Sequence, residues 1–97
     1  MNKNNIHNLL EKYEAGKIKA DDLLSEIFLG ATRKNIKDLL YALFSKDERK
    51  MFVNRLLIIK MLKEDIAFHE IAKKLKVGVE TVNRGAGEIK KGRFEFI

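Results

Sequence analysis

The stretch Ile66–Gly92, IAFHEIAKKLKVGVETVNRGAGEIKKG, decides the fold because two apolar series in it are separated by a short break. The first series has the spacing i, i+3, i+4, i+7 of one helix face and consists of Phe68, Ile71, Ala72 and Leu75. The second series consists of Val79, Val82, Ala86 and Ile89. Two short helices joined by a turn that contains glycine are the sequence form of a helix-turn-helix. We therefore predict this motif over residues 66–92.

Small and branched side chains stand where the two predicted helices meet. Ala72 lies at the expected crossing, where a methyl group allows close approach, and Val77 and Val82 should fill the angle between the helices. Gly78 fits the N-cap of the second helix, a position that accepts glycine although Ser, Thr, Asn and Asp are preferred. The turn itself is therefore predicted at residues 76–78.

The outward face of the second helix is polar and carries Glu80, Thr81, Asn83 and Arg84. Such side chains near a helix N-terminus can contact base edges, and arginine can bind guanine or phosphate. Glu80 would be repelled by phosphates unless it accepts a hydrogen bond from a cytosine amine. The alternative is a helical hairpin whose polar face is only solvated.

Two blocks of sequence resemble the Trp repressor family. The segment GVETVNRG at residues 78–85, with Glu88-Ile89-Lys90 after it, is similar to the recognition helix of that family. The segment FSKDER at residues 44–49, followed by Arg55, is similar to the family's entry into its fourth helix. The resemblance covers about half of the chain and implies an all-α, six-helix fold with a C-terminal helix-turn-helix, assembled as an intertwined dimer.

The resemblance also implies a ligand site. In the family, arginines at the positions of Arg55 and Arg84 hold the indole of bound tryptophan between two guanidinium planes. The glycine at the position of Gly85 lets the ligand approach the helix, and a hydroxyl near Ser45 helps to define the site across the dimer. Glu88 stands where the family has a serine near the amino group of the ligand. The expected co-repressor is L-tryptophan or another small aromatic molecule, and no bound cofactor or metal is expected otherwise.

The charged residues of this implied site also allow roles without tryptophan. Arg55 and Arg84 could form ion pairs with neighbours such as Glu48, Glu80 or Glu88. Glu88 could accept from a ligand ammonium or select a different ligand. Lys76 stands where the family usually has a second glycine, at a position where a left-handed backbone suits glycine better than lysine.

For DNA binding, the pattern and the resemblance together indicate a palindromic double-stranded operator with half-sites about one helical turn apart. The predicted DNA-contacting residues are His69, Lys73, Lys74, Gly78, Val79, Glu80, Thr81, Asn83 and Lys90. Of these, Val79, Glu80, Thr81 and Asn83 should face bases, and Lys73, Lys74 and Lys90 should face phosphates. His69 is equally compatible with a backbone contact and with simple exposure to solvent.

Composition supports a small basic helical protein. The chain has 97 residues, which suits one domain, with 45% hydrophobic and 35% charged residues, no proline and no cysteine. Its net charge is +6, and residues 60–93 contain nine basic and five acidic side chains, so the excess overlaps the motif. Many small proteins are basic for solubility alone. The longest apolar run, residues 56–59, is too short for a membrane span, and we expect a cytoplasmic protein.

The chain divides by pattern into four segments of one predicted structural domain. Residues 1–44 should form N-terminal helices that act as a dimerisation scaffold, and residues 93–97 a tail that packs on a partner or stays mobile. Residues 66–92 form the DNA-reading head. Residues 45–65 should contain a long core helix, started by a capping box of Ser45 and Glu48. That helix is apolar nearly all round, so a second subunit is its expected cover.

The N-terminal helices have recognisable boundaries. Gly16 should end the first helix, and Asp21 and Asp22 should open a second that stops at Gly30. Thr32 can cap a third.

No enzyme motif is present in the sequence. The chain lacks cysteine, a glycine-rich phosphate loop, an HxxxH pair and an evident Ser-His-Asp set. The helix-turn-helix pattern predicts a DNA-binding protein rather than an enzyme. The resemblance further implies a transcriptional regulator of the Trp repressor type, a repressor whose expected co-repressor is tryptophan. The alternative is a ligand-independent helix-turn-helix interaction module associated with nucleic acid, similar to a sigma-factor or antitoxin fragment. A dimer in solution would favour the first.

Overall fold

The computed structural model describes the backbone of residues 3–97 and the side chains of residues 6–97. The first two residues of the predicted segment 1–44 lie outside the described residues. Over residues 3–97 the chain forms six helices and no strand, which confirms the predicted all-α class. The helices are α1 Lys3–Glu14, α2 Ala20–Leu29, α3 Ile36–Leu43, α4 Lys46–Lys63, α5 Phe68–Leu75 and α6 Val79–Lys90. The intertwined dimer remains a prediction.

The chain forms two compact units, one ending at Leu43 and one comprising residues 44–97. In the first unit α1 contacts α2, and Leu23 is the one buried apolar residue among those described there. Gly16 ends α1 as predicted: its φ is +73 and its N–H donates to the Tyr13 carbonyl at 3.0 Å, while the Lys17 N–H donates to the Lys12 carbonyl at 2.8 Å. Thr32 and Asn35 exchange side chain–backbone hydrogen bonds just before α3, so the predicted cap closes the turn that leads into that helix.

The second unit is a three-helix arrangement in which α4, α5 and α6 all contact one another. Its core consists of Ile58, Met61, Ile71, Ala72 and Val82, with Leu62, Ile66, Leu75 and Val77 packed against it. Ile71 on α5 and Val82 on α6 are fully buried, as predicted for the interior faces of the two motif helices. Phe68 and Val79 differ, because each is the first residue of its helix and is still exposed.

The turns of this unit follow local rules. Ser45 caps α4: its hydroxyl accepts from the Glu48 N–H at 3.1 Å, and the Glu48 carboxylate accepts from the Ser45 N–H at 2.9 Å. The predicted capping box is therefore confirmed. Lys76, between α5 and α6, adopts the left-handed conformation with φ 57 and ψ 46. The chain thus carries lysine where a glycine would relieve the steric cost of this backbone.

Candidate DNA-reading face and ligand cavity

The helix-turn-helix presents an exposed polar face at the start of α6. Gly78 occupies the N-cap, as predicted, with extended backbone at φ −74 and ψ 153. Val79, Glu80 and Asn83 are exposed beyond it, so their side chains are accessible to a large partner. Four further predicted DNA contacts are also exposed: His69, Lys73, Lys74 and Lys90. Each of these residues thus meets the first requirement of a DNA contact, which is access to solvent in the free protein.

Thr81 occupies a different environment from its neighbours. Its side chain is half-buried and lines a cavity between α4 and α6, whereas Val79, Glu80 and Asn83 do not line it. Within α6 the exposed face and the cavity therefore meet at Thr81.

The cavity has a volume of about 690 Å³ and lies wholly within residues 44–97. Four of the five predicted ligand-site residues line it: Arg55, Arg84, Gly85 and Glu88. Ser45 does not line it; its hydroxyl accepts from the Glu48 N–H in the cap of α4. Sequence analysis missed seven lining residues on α4 and elsewhere: Asp47, Lys50, Met51, Asn54, Ile58, Ile59 and Val77. It also missed Phe94, which follows the end of α6.

Within residues 3–97 the two arginines of the cavity have no carboxylate partner. Neither Arg55 nor Arg84 forms an ion pair with another described residue, so the predicted alternative of pairing with a glutamate is not observed there. The Arg55 guanidinium carbon lies 5.8 Å from the centroid of the Phe52 ring, and its Nη2 lies 3.8 Å from the Met51 sulfur. Guanidinium groups on an apolar wall without a counter-ion are suited to an aromatic or anionic ligand.

Two glutamates that could have paired with the arginines are held elsewhere. The Glu88 oxygens lie 3.5 Å from Lys91 Nζ and 3.4 Å from Arg93 Nε. The Glu48 carboxylate is bonded in the capping box, and the hydrogen bonds from the Ser45 backbone and hydroxyl lower the pKa of Glu48 below its usual range. Neither glutamate therefore forms an ion pair with Arg55 or Arg84.

Gly85 has a packing role that sequence analysis did not identify. A Cβ atom built on Gly85 would lie 2.9 Å from Ile58 Cγ2 and 3.4 Å from Ile59 Cδ1. The side-chain space at this position is therefore filled by α4, and glycine is needed for the close approach of α4 and α6. Gly85 still contributes to the cavity lining, but its missing side chain faces the helix contact.

Two further features of the described residues bear on function. No helix within residues 3–97 combines the length and the apolar character needed to cross a bilayer. No group of three or more His, Cys, Asp or Glu residues in that range is arranged to bind a metal ion.

Comparison with known proteins gives one match. A protein-family model described as "Trp repressor protein" matches residues 19–96, which is most of the chain and includes both the cavity and the helix-turn-helix. No curated protein and no solved structure matches the chain.

Proposed function

The chain belongs to the Trp repressor family, and from that premise we propose that it is a dimeric, sequence-specific repressor that responds to L-tryptophan or another small aromatic molecule. Its general class is that of a DNA-binding transcription regulator, and that family consists of regulators rather than enzymes. The observation that supports the finer proposal is the cavity beside α6 in which Arg55 and Arg84 have no ion-pair partner among the described residues.

The cavity has the properties of a small-molecule site. Its volume of about 690 Å³ falls within the range of about 300–1,000 Å³ that is typical for ligand pockets. Ile58, Ile59 and Val77 supply apolar contact, and the two arginines supply flat cationic surfaces. An aromatic carboxylate would stack its ring on a guanidinium plane and place its negative charge near the same cations. The ligand would then hold α6 at a fixed distance from α4.

The link to DNA binding runs through α6. Thr81 and Arg84 line the cavity, while Glu80 and Asn83 on the same helix are exposed. A ligand that fixes the orientation of α6 therefore also fixes the residues that face bases in the major groove. Lys73, Lys74 and Lys90 would contact phosphates and supply the salt-dependent part of the affinity.

The dimer is proposed because α4 leaves apolar side chains exposed. Val53, Leu56 and Leu57 are exposed on one side of α4, whereas Ile58, Ile59 and Met61 of the same helix are buried. A second copy that covers the exposed side chains would remove their apolar surface from water and would place two reading heads on a palindrome. Sedimentation equilibrium should give twice the chain mass of 11.2 kDa. A monomer at micromolar concentration would contradict the dimer.

The ligand response is tested by titrating L-tryptophan and following its own fluorescence. The chain contains no tryptophan, so the indole signal arises only from the ligand. A saturable change in wild type that Arg84→Ala abolishes supports the proposal. Arg33→Ala, an exposed arginine in the other unit, is the matched control and should leave the titration unchanged. A flat titration at millimolar ligand would contradict the tryptophan response.

The alternative function is a helix-turn-helix module that binds nucleic acid without a small ligand. One contact favours it: the Glu88 carboxylate already lies near Lys91 and Arg93 and is less available to a ligand ammonium. Under this alternative, wild type binds DNA with the same affinity at every concentration of L-tryptophan.

A further inference from the structure

The chain beyond α6 turns back towards the cavity. Gly92 has φ +76, its N–H donates to the Ile89 carbonyl at 2.9 Å, and the Arg93 N–H donates to the Glu88 carbonyl at 3.2 Å. This pair of bonds around a left-handed glycine is a Schellman motif, which ends a helix and reverses the chain. A Cβ atom on Gly92 would lie 3.1 Å from the Glu95 carboxylate, so the turn is also tight.

Contacts with two helices hold the reversed segment in place. Lys63 at the end of α4 donates a hydrogen bond from Nζ to the Phe94 carbonyl, and Arg93 Nε lies 3.4 Å from the Glu88 carboxylate on α6. The Phe94 side chain is half-buried and lines the cavity. Phe96, two residues later, is 83% exposed and does not line it. The two phenylalanine rings lie 6.4 Å apart between centroids, but only Phe94 lines the cavity.

We infer that Phe94 is a specificity-determining residue of the ligand site, and that its side chain forms a third wall of that site beside α4 and α6. This inference rests on the proposed function, because it assigns a role in the same cavity. The two arginines select a flat or anionic ligand, and the Phe94 ring adds an aromatic surface that contacts the ligand ring by its edge or face. Lys63 is a positioning residue, because it donates to the Phe94 carbonyl and does not line the cavity itself. Arg93 lies against the Glu88 carboxylate and anchors the start of the segment.

The first experiment measures whether Phe94 is held at the cavity. Phe94→Trp and Phe96→Trp each introduce a single tryptophan into a chain that has none. Acrylamide should quench the fluorescence of the first several-fold less than that of the second, because one side chain is half-buried and the other exposed. Equal quenching of the two reporters would overturn the inference.

The second experiment measures ligand affinity by calorimetry with L-tryptophan as the probe, using wild type, Phe94→Ala and Phe96→Ala. We expect Phe94→Ala to weaken binding about tenfold, the loss of one aromatic contact, and Phe96→Ala to leave it unchanged. The circular dichroism spectra of the two alanine variants should match that of wild type, which excludes a folding defect as the cause of lost affinity. Equal or tighter binding by Phe94→Ala would overturn the inference while leaving the tryptophan response intact.

A third result separates the two proposals. If wild type fails to bind L-tryptophan, the proposed response falls and the role of Phe94 falls with it. If wild type binds L-tryptophan and Phe94→Ala binds it with the same affinity, the proposed function stands and the inference alone is refuted. Removal of the Lys63 hydrogen bond by Lys63→Met should raise the quenching of the Phe94→Trp reporter towards that of Phe96→Trp. No change in quenching would refute the positioning role of Lys63.

Discussion

Gly85→Ala, compared with Gly87→Ala, tests whether α4 and α6 pack as closely as the structure indicates. Both glycines lie in α6, so alanine should gain about 1 kcal/mol of helix propensity at either position. At Gly87 the new methyl group meets nothing within 4 Å, and the full gain should appear. At Gly85 it would lie 2.9 Å from Ile58 Cγ2, on a side chain that is 2% exposed and belongs to a packed core.

The cost of this contact is that of overpacking, about 1–3 kcal/mol, because Ile58 cannot move into solvent. The gain in helix propensity is the same in both variants and drops out of the comparison. Gly85→Ala should therefore be less stable than Gly87→Ala by about 1–3 kcal/mol, the cost of overpacking alone. Urea denaturation at one protein concentration measures the difference, provided that the slope m is the same for both variants. Equal stabilisation by both substitutions would refute the close approach of the helices at Gly85.

Three further predictions concern the turn, the cap and the DNA-reading face. Lys76→Gly should raise the free energy of unfolding by about 1 kcal/mol, because glycine adopts the left-handed backbone without steric cost. Lys74→Gly inside α5 should lower it by about the same amount. The opposite order of stability in urea denaturation would refute the assigned turn. The pKa of Glu48 is lowered in the folded chain, so the Glu48 carboxylate stabilises the fold above pH 4.5, its ordinary pKa, and this contribution is lost as the pH falls through the lowered pKa. The stability advantage of wild type over Glu48→Gln should therefore shrink in acid. A difference that stays constant with pH would be evidence against the cap. Asn83→Ala should weaken specific DNA binding by about 1–3 kcal/mol and leave binding to random DNA nearly intact, as measured by fluorescence anisotropy. An equal loss of affinity for both DNAs would show that Asn83 does not contact bases in a sequence-dependent way.

The helices of this chain were predictable because their signals are local. Ser45 and Glu48 are three residues apart and satisfy each other, so their spacing alone predicts the start of α4. Apolar periodicity likewise predicts the burial of Ile71 and Val82. Phe68 shows the limit of periodicity, because a residue in the first turn of a helix can lie on the apolar face and still project beyond the core.

The cavity was predictable only in part. Arg55, Arg84, Gly85 and Glu88 came from a resemblance between blocks of sequence, and the structure places all four at one cavity. Phe94 could not be found in this way, since its position depends on the chain reversal at Gly92 and on a hydrogen bond from Lys63, which is distant in sequence. A glycine just after the last residues of a predicted helix was the only local signal of that reversal.

The packing role of Gly85 illustrates the same limit. Sequence resemblance attributes the glycine to approach by a ligand, whereas its absent Cβ points towards Ile58 and Ile59. The two roles differ in their consequences, because only the packing role predicts that Gly85→Ala is less stable than Gly87→Ala when no ligand is present. Pairwise distances across helices are not encoded in the spacing of residues along one helix.

Ligand-dependent repression is tested most directly by DNA binding as a function of L-tryptophan. Binding sites are first selected from random double-stranded DNA with the ligand present, and the affinity of the enriched site is then measured with and without it. We predict a palindromic site whose affinity for wild type rises by about 5–150-fold on addition of L-tryptophan, the usual range of coupling between two sites. Arg84→Ala should show no such rise. Equal affinity of wild type with and without ligand would contradict the proposed response and identify a helix-turn-helix protein that works without a co-repressor.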